Sequence, residues 1–386
     1  MRIGLLIDTL NSGGAQRQLV LLAKELKARG HDVAVCVYMP GRFYARELQS
    51  AGIELIEMQP ANRWQKFTMV YAWLRKWKPQ ILQAFLEMPS ALAELTSLLP
   101  HSWKIVGSER NVEPFPITQQ QKRLTHRLIR YLHRRADWIT TNSHANMAQL
   151  LHSVPNLEAK VSVIWNMVDL EQFSRPTVAL AWAEDSIIRF LCVASMYQHK
   201  NGPRLIEALH LLRQRDIHNF HVRWVGRFQP EDPHQVQTYT EVIALVQQYQ
   251  LQNHFTFAGE KENVVHEYHT ADALVLVSLF EGMPNVVCEG MACQLPVVLS
   301  DVSDHSRIVE EGRTGFLCSP YEAESIAYAL QSIIHLTEGQ RRAMGKAARK
   351  AAEAHFNRDN FIDGYERIYC HLINGTTSLG SEYSTA

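Results

Sequence analysis

Two doubly wound α/β domains, each a Rossmann-like parallel sheet wrapped by helices, are what this sequence predicts, on three observations. Short apolar runs of strand length alternate with longer segments of helical period through nearly the whole chain, the pattern of βαβ units whose strands pair in parallel. A polar stretch containing Pro176, residues 169–185, interrupts that alternation before an apolar run at 190–194 restarts it. Charge divides at the same place: residues 1–170 carry eight more positive than negative charges, and residues 171–386 the reverse, beneath a formal net charge of zero. Halves of opposite sign suit domains with different partners, and equally suit two domains that attract each other.

Taken in order, residues 3–7 (IGLLI) predict a first strand, followed by the loop DTLNSGG. Residues 15–29 then place Leu19, Leu22, Ala23 and Leu26 on one helical face and close on Gly30, a suitable C-terminal cap. Residues 33–37 (VAVCV) return as a strand, which completes a strand-helix-strand unit. The loop lacks the GxGxxG spacing of a dinucleotide fingerprint, but its Gly13-Gly14 pair lets backbone approach a phosphate, or simply makes a tight turn. Further strands are expected near 53–56, 81–85, 104–107, 138–141 and 161–164. Residues 121–135 predict a helix with Leu124, Leu128 and Leu132 on one face and six Lys or Arg residues over much of the rest, suited to an anionic membrane surface or to plain solvent. Residues 63–78 mix Trp64, Phe67, Trp73 and Trp77 with five basic residues and have the same two readings.

The second half predicts strands at 190–194, 222–225, 255–257, 273–277 and 296–299. Its first loop, SMYQHKNG, leads into a helix over 203–212 and puts Lys200 near that helix's N-terminus. Residues 278–296 read as loop, helix and strand, with Glu281 and Glu289 separated by seven residues. With a helix beginning at Pro284 or Asn285, Glu281 lies in the loop and Glu289 about one turn inside. Backbone N–H groups of that first turn favour an anion, and a carboxylate one turn on accepts hydrogen bonds from vicinal hydroxyls of an adjoining sugar. Residues 359–373 predict a last amphipathic helix, and residues 374–386 a disordered polar tail.

Several classes are disfavoured. The apolar runs are shorter than the ~18 residues a membrane span requires, and the N-terminus reads as a strand rather than a signal peptide. Six scattered cysteines lack metal-ligand spacing and read as buried reduced thiols of a cytosolic protein. No Asp-x-Asp signature for a divalent ion is present.

The chain resembles the retaining nucleotide-sugar glycosyltransferases of GT-B fold, family 4 type, over nearly its whole length. The resemblance is carried by NSGGAQRQ, VIWNMVDLEQF, KNGPRLIEAL, the glutamate pair with EGMA, PVVLSDV and GRTGFL, in that order. It implies an acceptor-binding domain over residues 1–170 and a nucleotide-sugar domain over 171–355, facing each other across a cleft. It further implies a helix over 356–373 that crosses back to the first domain. By resemblance, Glu289 holds the ribose, Glu281 contacts the donor sugar, and the backbone amides of Gly282, Met283, Pro284, Asn285 and Val286 line the sugar and diphosphate. Gly14 approaches the phosphates, Lys200 neutralises the diphosphate, and Gly259 and Glu260 sit beside the base. Glu281 and Lys200 are then the catalytic pair.

The chain also departs from the family. Ser195 stands where an Arg is usual at the diphosphate, with Arg227 a candidate substitute. Ser303-Asp304 replaces a usual Gly-Gly, Arg307 a Glu, and Glu109-Arg110 occupies a loop that often carries a His. The implied reaction moves a sugar from a nucleotide sugar, a UDP-sugar first among the candidates, to a lipid-linked or polysaccharide acceptor, without metal or other cofactor. The expected location is cytoplasmic, at the inner face of the membrane through the basic domain, with no nucleic-acid partner. A sugar-nucleotide epimerase of the same architecture and a catalytically silent binding partner are the alternatives.

Overall fold

A computed structural model of the chain describes residues 1–110, 129–175 and 187–375. These divide into two compact units, one comprising residues 1–167 with the C-terminal segment from Arg358, the other Val168–Asn357. The unit limits lie three residues before the expected boundary at 170 and two after the one at 355. Residues 121–128 of the expected basic helix, 176–185 of the linker and 376–386 of the tail fall outside the described residues.

The first unit is built on a parallel sheet in the order β3-β2-β1-β4-β5-β6-β7. Its strands are β1 Arg2–Ile7, β2 Asp32–Val37, β3 Glu54–Glu57, β4 Ile81–Ala84, β5 Lys104–Glu109, β6 Trp138–Thr141 and β7 Val161–Val163. After their first residue β1 and β2 are buried throughout, which explains why they read as unbroken apolar runs: helices cover both faces. The covering helices include α1 (Gly14–Ala28), α2 (Ala45–Ser50), α3 (Arg63–Trp77), α4 (Glu87–Leu95) and α5 (His144–Ser153). In α3 the mixed aromatic and basic segment resolves into an inner and an outer part. Trp73 stacks on a buried Trp77, whereas Trp64 in the first turn is 81% exposed.

The second unit carries six parallel strands in the order β10-β9-β8-β11-β12-β13. These are β8 Ile188–Val193, β9 Phe220–Val225, β10 Phe255–Gly259, β11 Ala273–Leu276, β12 Val297–Ser300 and β13 Gly315–Cys318. The helices are α6 (Gly202–Gln214), α7 (Pro233–Gln248), α8 (Val264–Thr270), α9 (Asn285–Ala292), α10 (His305–Ile308), α11 (Ala323–Ile334) and α12 (Glu338–His355). Strand β13 was not expected, because a four-residue run opening on glycine carries little strand signal. Gly315 is there for a backbone reason: a Cβ would lie 2.1 Å from the carbonyl oxygen of Val297 on β12.

Arg349 of α12 donates to the carbonyls of Leu170, Phe173 and Ala292, and so ties the start of the second unit to the end of α9. The last helix, α13 (Arg358–Asn374), belongs to the first unit. Its Phe361, Ile362, Tyr365, Ile368 and Tyr369 are buried in the same cluster as Ile3, Leu5 and Leu19. At about 1.5–3 kcal/mol per fully buried large side chain, this face anchors the helix. Its polar tips are used too: Tyr365 accepts from Arg110, and Tyr369 donates to Gln83 of β4. Of the six cysteines, none forms a disulfide and five are buried, but Cys370 on α13 is exposed, contrary to the expectation for all of them.

A buried charged triad closes the first unit's core. His133, wholly buried, bridges Glu94 of α4 (Nδ1 to Oε1, 2.6 Å) and Glu109 at the end of β5 (Nε2 to Oε1, 2.8 Å). Burial pulls the imidazole down, but Glu94's charge and both hydrogen bonds outweigh it and push the imidazole up to about 10, so it is charged at neutral pH. Removing it leaves two buried carboxyl groups facing an empty space, and His133→Ala is expected to cost about 3–5 kcal/mol in urea denaturation. Because the folded imidazole pKa is raised, its contribution is complete below the ordinary imidazole value of 6.5 and is lost as pH rises toward about 10, while burial pushes the partner Glu94 carboxyl up from its own ordinary value. The gap between wild type and variant should narrow over that window.

Candidate active site

In the second unit every strand points the same way, so each strand-to-helix loop emerges on one edge of the sheet. In spatial order this edge carries Gly259 at the end of β10 with Glu260 after it, Arg227 after β9, Ser195 to Lys200 after β8, Ser278 to Pro284 after β11 leading into Asn285 and Val286 of the next helix, and Ser303 after β12. The expected donor-site residues other than Gly14 therefore share one edge, and the loops after β8 and β11 flank the point where strand order reverses, the usual place for a ligand in such sheets. Gly14 opens α1 at the end of β1 in the first unit, behind Gly13 as N-cap, with no side chain capping the helix.

Lys200 and Glu281 meet directly, Nζ to Oε1 at 2.5 Å, with side chains 18% and 10% exposed. Burial by itself would raise the Glu281 carboxyl; the charge and hydrogen bond of Lys200 outweigh it and hold the group below its ordinary range. The pair is set by its backbone. Asn201, next to Lys200, adopts the left-handed conformation (φ 62°), and its side-chain amide donates to the carbonyls of Val277 and Pro320 at 3.0 and 2.7 Å. The Leu279 N–H donates to the His199 carbonyl at 2.8 Å, and the His199 ring lies between Phe280 (4.9 Å between centroids) and Tyr197 (5.8 Å). Burial and the Lys200 charge push the His199 imidazole down to about 4, so it is neutral under ordinary conditions.

Helix α9 starts at Asn285 behind Pro284 as N-cap, and no side chain caps it. It packs close to β11 because Gly290 of the EGMA motif leaves room for Leu274, whose Cδ2 would lie 2.8 Å from a Cβ there. Glu289, in the second turn, is only 3% exposed, and its Oε2 accepts from the Tyr268 hydroxyl at 2.7 Å. The carboxylate is thus oriented by α8, an arrangement the sequence did not announce. Ser303 explains one departure from the family. It takes the positive φ (55°) natural to glycine, and its hydroxyl donates to the Gly282 carbonyl at 2.7 Å, which ties the loop after β12 to the one bearing Glu281. His305 lies behind, its Nδ1–H donating to the Ser300 carbonyl at 2.7 Å.

Arg227 is exposed, and its loop lies hard against Ser195. A Cβ on Gly226 would fall 1.8 Å from the Ala194 carbonyl oxygen and 3.1 Å from the Ser195 nitrogen. Gly226 N–H donates to Gly259, which has φ 68° and follows a shift of register in β10. Residues 195, 227 and 259 are thereby joined through backbone. In the first unit, the loop where the family often carries a His has Glu109 held by His133 from a different element, and Arg110 turned inward to Asn166 and Tyr365.

Two parallel α/β sheets, the second bearing a Lys–Glu pair and a glutamate-bearing helix on its loop edge, have the architecture of the GT-B fold. Residues 12–172 match the family described as Glycosyltransferase Family 4, and residues 181–351 the one described as Glycosyl transferases group 1; the chain belongs to the family 4 type of GT-B glycosyltransferases. It is 22% identical over 365 residues, covering 92% of this chain and 95% of the other, to an N-acetylgalactosamine-N,N'-diacetylbacillosaminyl-diphospho-undecaprenol 4-alpha-N-acetylgalactosaminyltransferase of Campylobacter jejuni. A match of 26% identity to the N-acetyl-alpha-D-glucosaminyl L-malate synthase of Bacillus anthracis spans 34% of each chain. In fold the chain is similar to HepE of Anabaena in complex with UDP, with TM-score 0.80 and 19% identity over 95% of this chain and 99% of that one.

Three outcomes are expected. Asn201→Ala removes two hydrogen bonds and a residue tolerant of positive φ, and should lower the stability of the second unit by about 2 kcal/mol, read by chemical denaturation. Gly226→Ala meets backbone rather than a movable side chain, and should displace the loops after β8 and β9, with loss of nucleotide binding in calorimetry. Glu281's depressed folded pKa means its contribution to stability is present above its usual value of 4.5 and is lost as pH falls through the folded value. Unfolding midpoints of Glu281→Gln should lack that acid limb.

Proposed function

We propose that the chain is a retaining glycosyltransferase that moves a sugar from a UDP-sugar to a hydroxyl of a lipid-linked or polysaccharide acceptor. The observation that carries this reading is the Lys200–Glu281 pair beside the start of α9, on the loop edge of the second sheet. Lys200 and the first amides of α9 are suited to the diphosphate, and Glu281 to hydroxyls of the transferred sugar. Glu289, oriented by Tyr268, is assigned to the ribose, Gly259 and Glu260 to the base, and Arg227 to the diphosphate charge that Ser195 leaves uncovered. Gly14 is assigned to the phosphates. The UDP complex of the HepE structure supports uracil, and the undecaprenyl-diphosphate acceptor named for the Campylobacter relative supports a lipid-linked one.

In the reaction the anomeric C–O bond to the diphosphate breaks and its electron pair leaves with the phosphate oxygen. The acceptor oxygen bonds to the anomeric carbon on the same face, and its proton passes to the departing phosphate. Positive groups fixed before the reaction stabilise the charge that develops on the leaving group, so no protein nucleophile is required. A bilayer location is proposed with it. Phe43 (65% exposed) and Trp64 (81%) stand with exposed Arg42 and Arg63 just past the ends of β2 and β3, a mixture suited to anionic headgroups. Among the described residues no helix is long and apolar enough to cross a membrane.

A thermal-shift screen against UDP-, GDP-, ADP- and dTDP-sugars tests the donor assignment. A ligand at 100 times its dissociation constant should stabilise by about 2.7 kcal/mol, and no shift with any of them overturns the assignment. Glu281→Ala and Glu289→Ala should each reduce sugar transfer at least tenfold, and unchanged transfer in both would remove these residues from the site.

A further inference from the structure

The Lys200–Glu281 pair poses a question that the donor assignment leaves open. With a separation of 2.5 Å and both side chains largely buried, the cation assigned to the diphosphate is already engaged by a carboxylate. This contact is built in rather than incidental. The left-handed turn at Asn201, the His199–Leu279 backbone bond and the Tyr197–His199–Phe280 stack hold the two loops together, and Tyr197 is itself bonded to Asp232 at 2.8 Å. A diphosphate entering here competes with Glu281 for Lys200.

Resting on the donor reading above, we propose that Glu281 makes the site selective for a sugar-bearing nucleoside diphosphate over the bare nucleoside diphosphate, and so promotes departure of the product. The two ligands differ at the position nearest Glu281. A sugar conjugate brings hydroxyl donors that satisfy the carboxylate as it gives up part of its contact with Lys200. A bare diphosphate brings instead a terminal phosphate oxygen with additional negative charge, which both competes for Lys200 and faces Glu281 as a like charge. After transfer, loss of the sugar turns an attraction into a repulsion, while the ion pair re-forms behind the leaving diphosphate. Glu281 is on this account a specificity-determining residue as well as a sugar contact.

Calorimetric titration of UDP, GDP, ADP and dTDP, and of their glucose conjugates, into wild type, Glu281→Gln, Lys200→Met and the double variant tests this. Glu281→Gln keeps the side chain's shape and removes its charge. It should bind the bare diphosphate about tenfold tighter than wild type, a modest effect for one unit charge a few ångströms away, and should not tighten on the conjugate. The gain should shrink when Lys200 is also replaced, because only the direct repulsion by Glu281 is then left to relieve. Unchanged or weaker binding of the bare diphosphate by Glu281→Gln overturns the proposal, as does an equal gain for both ligands. If Glu281→Gln does not fold, Glu281→Asp keeps the charge but withdraws it from Lys200, and should give an intermediate gain; no gain there also overturns it. Failure of wild type to bind any of the eight ligands would instead overturn the donor reading, and this inference with it.

Discussion

The parallel direction of the strands is the constraint on which the rest of this protein depends. A parallel sheet sends every strand-to-helix loop to one edge and turns the first amides of the following helices toward the same side. In the second unit, residues scattered from 195 to 303 consequently share that edge without any long-range sequence signal. Sites of this kind tolerate departures from a family pattern, because a neighbouring loop can supply a group that its own loop lacks. The loop of Arg227, brought beside Ser195 by the close approach of Gly226, is the neighbour proposed for that part here. Ser303 is another adaptation, since it accepts a backbone conformation natural to glycine and adds a hydrogen bond that glycine cannot make.

Buried charge is placed differently in the two units. In the first, an imidazolium between two carboxylates joins a helix, a turn and the end of β5, deep enough that the charge is retained only because it is paired on both sides. In the second, the ammonium and carboxylate of Lys200 and Glu281 remain slightly open to solvent, Lys200 closing a single 3-10 turn and Glu281 lying in a loop. The first arrangement is suited to holding a shape. The second, with both groups still reached by solvent, is suited to exchanging partners.

Much of this was legible in advance. Short apolar runs of strand length marked twelve strands, most plainly β1 and β2, whose burial on both faces leaves no polar alternation. Glu281 in the loop and Glu289 inside the helix followed from the position of Pro284 alone. What could not be read were contacts between distant segments. Tyr268 on Glu289, Asn201 on Val277 and Pro320, and His133 between Glu94 and Glu109 each join residues from 21 to 119 positions apart. Nothing in the local pattern of a single tyrosine, asparagine or histidine marks it for such a contact. Strand β13 escaped for the opposite reason: its glycine is required by the neighbouring strand, not by its own segment.

The sequence by itself determined the two-sheet class, the order of its elements and the residue types available for binding a diphosphate and a sugar. Period and turn chemistry are local properties, and they survive in a string of letters. Only the tertiary structure decided that Lys200 is held by Glu281, that His199 lies between two aromatic rings, and that Trp64 faces outward while Trp77 is buried. Those outcomes depend on which atoms share a volume, and hydrogen-bond and charge energies change over a few ångströms that sequence separation does not record.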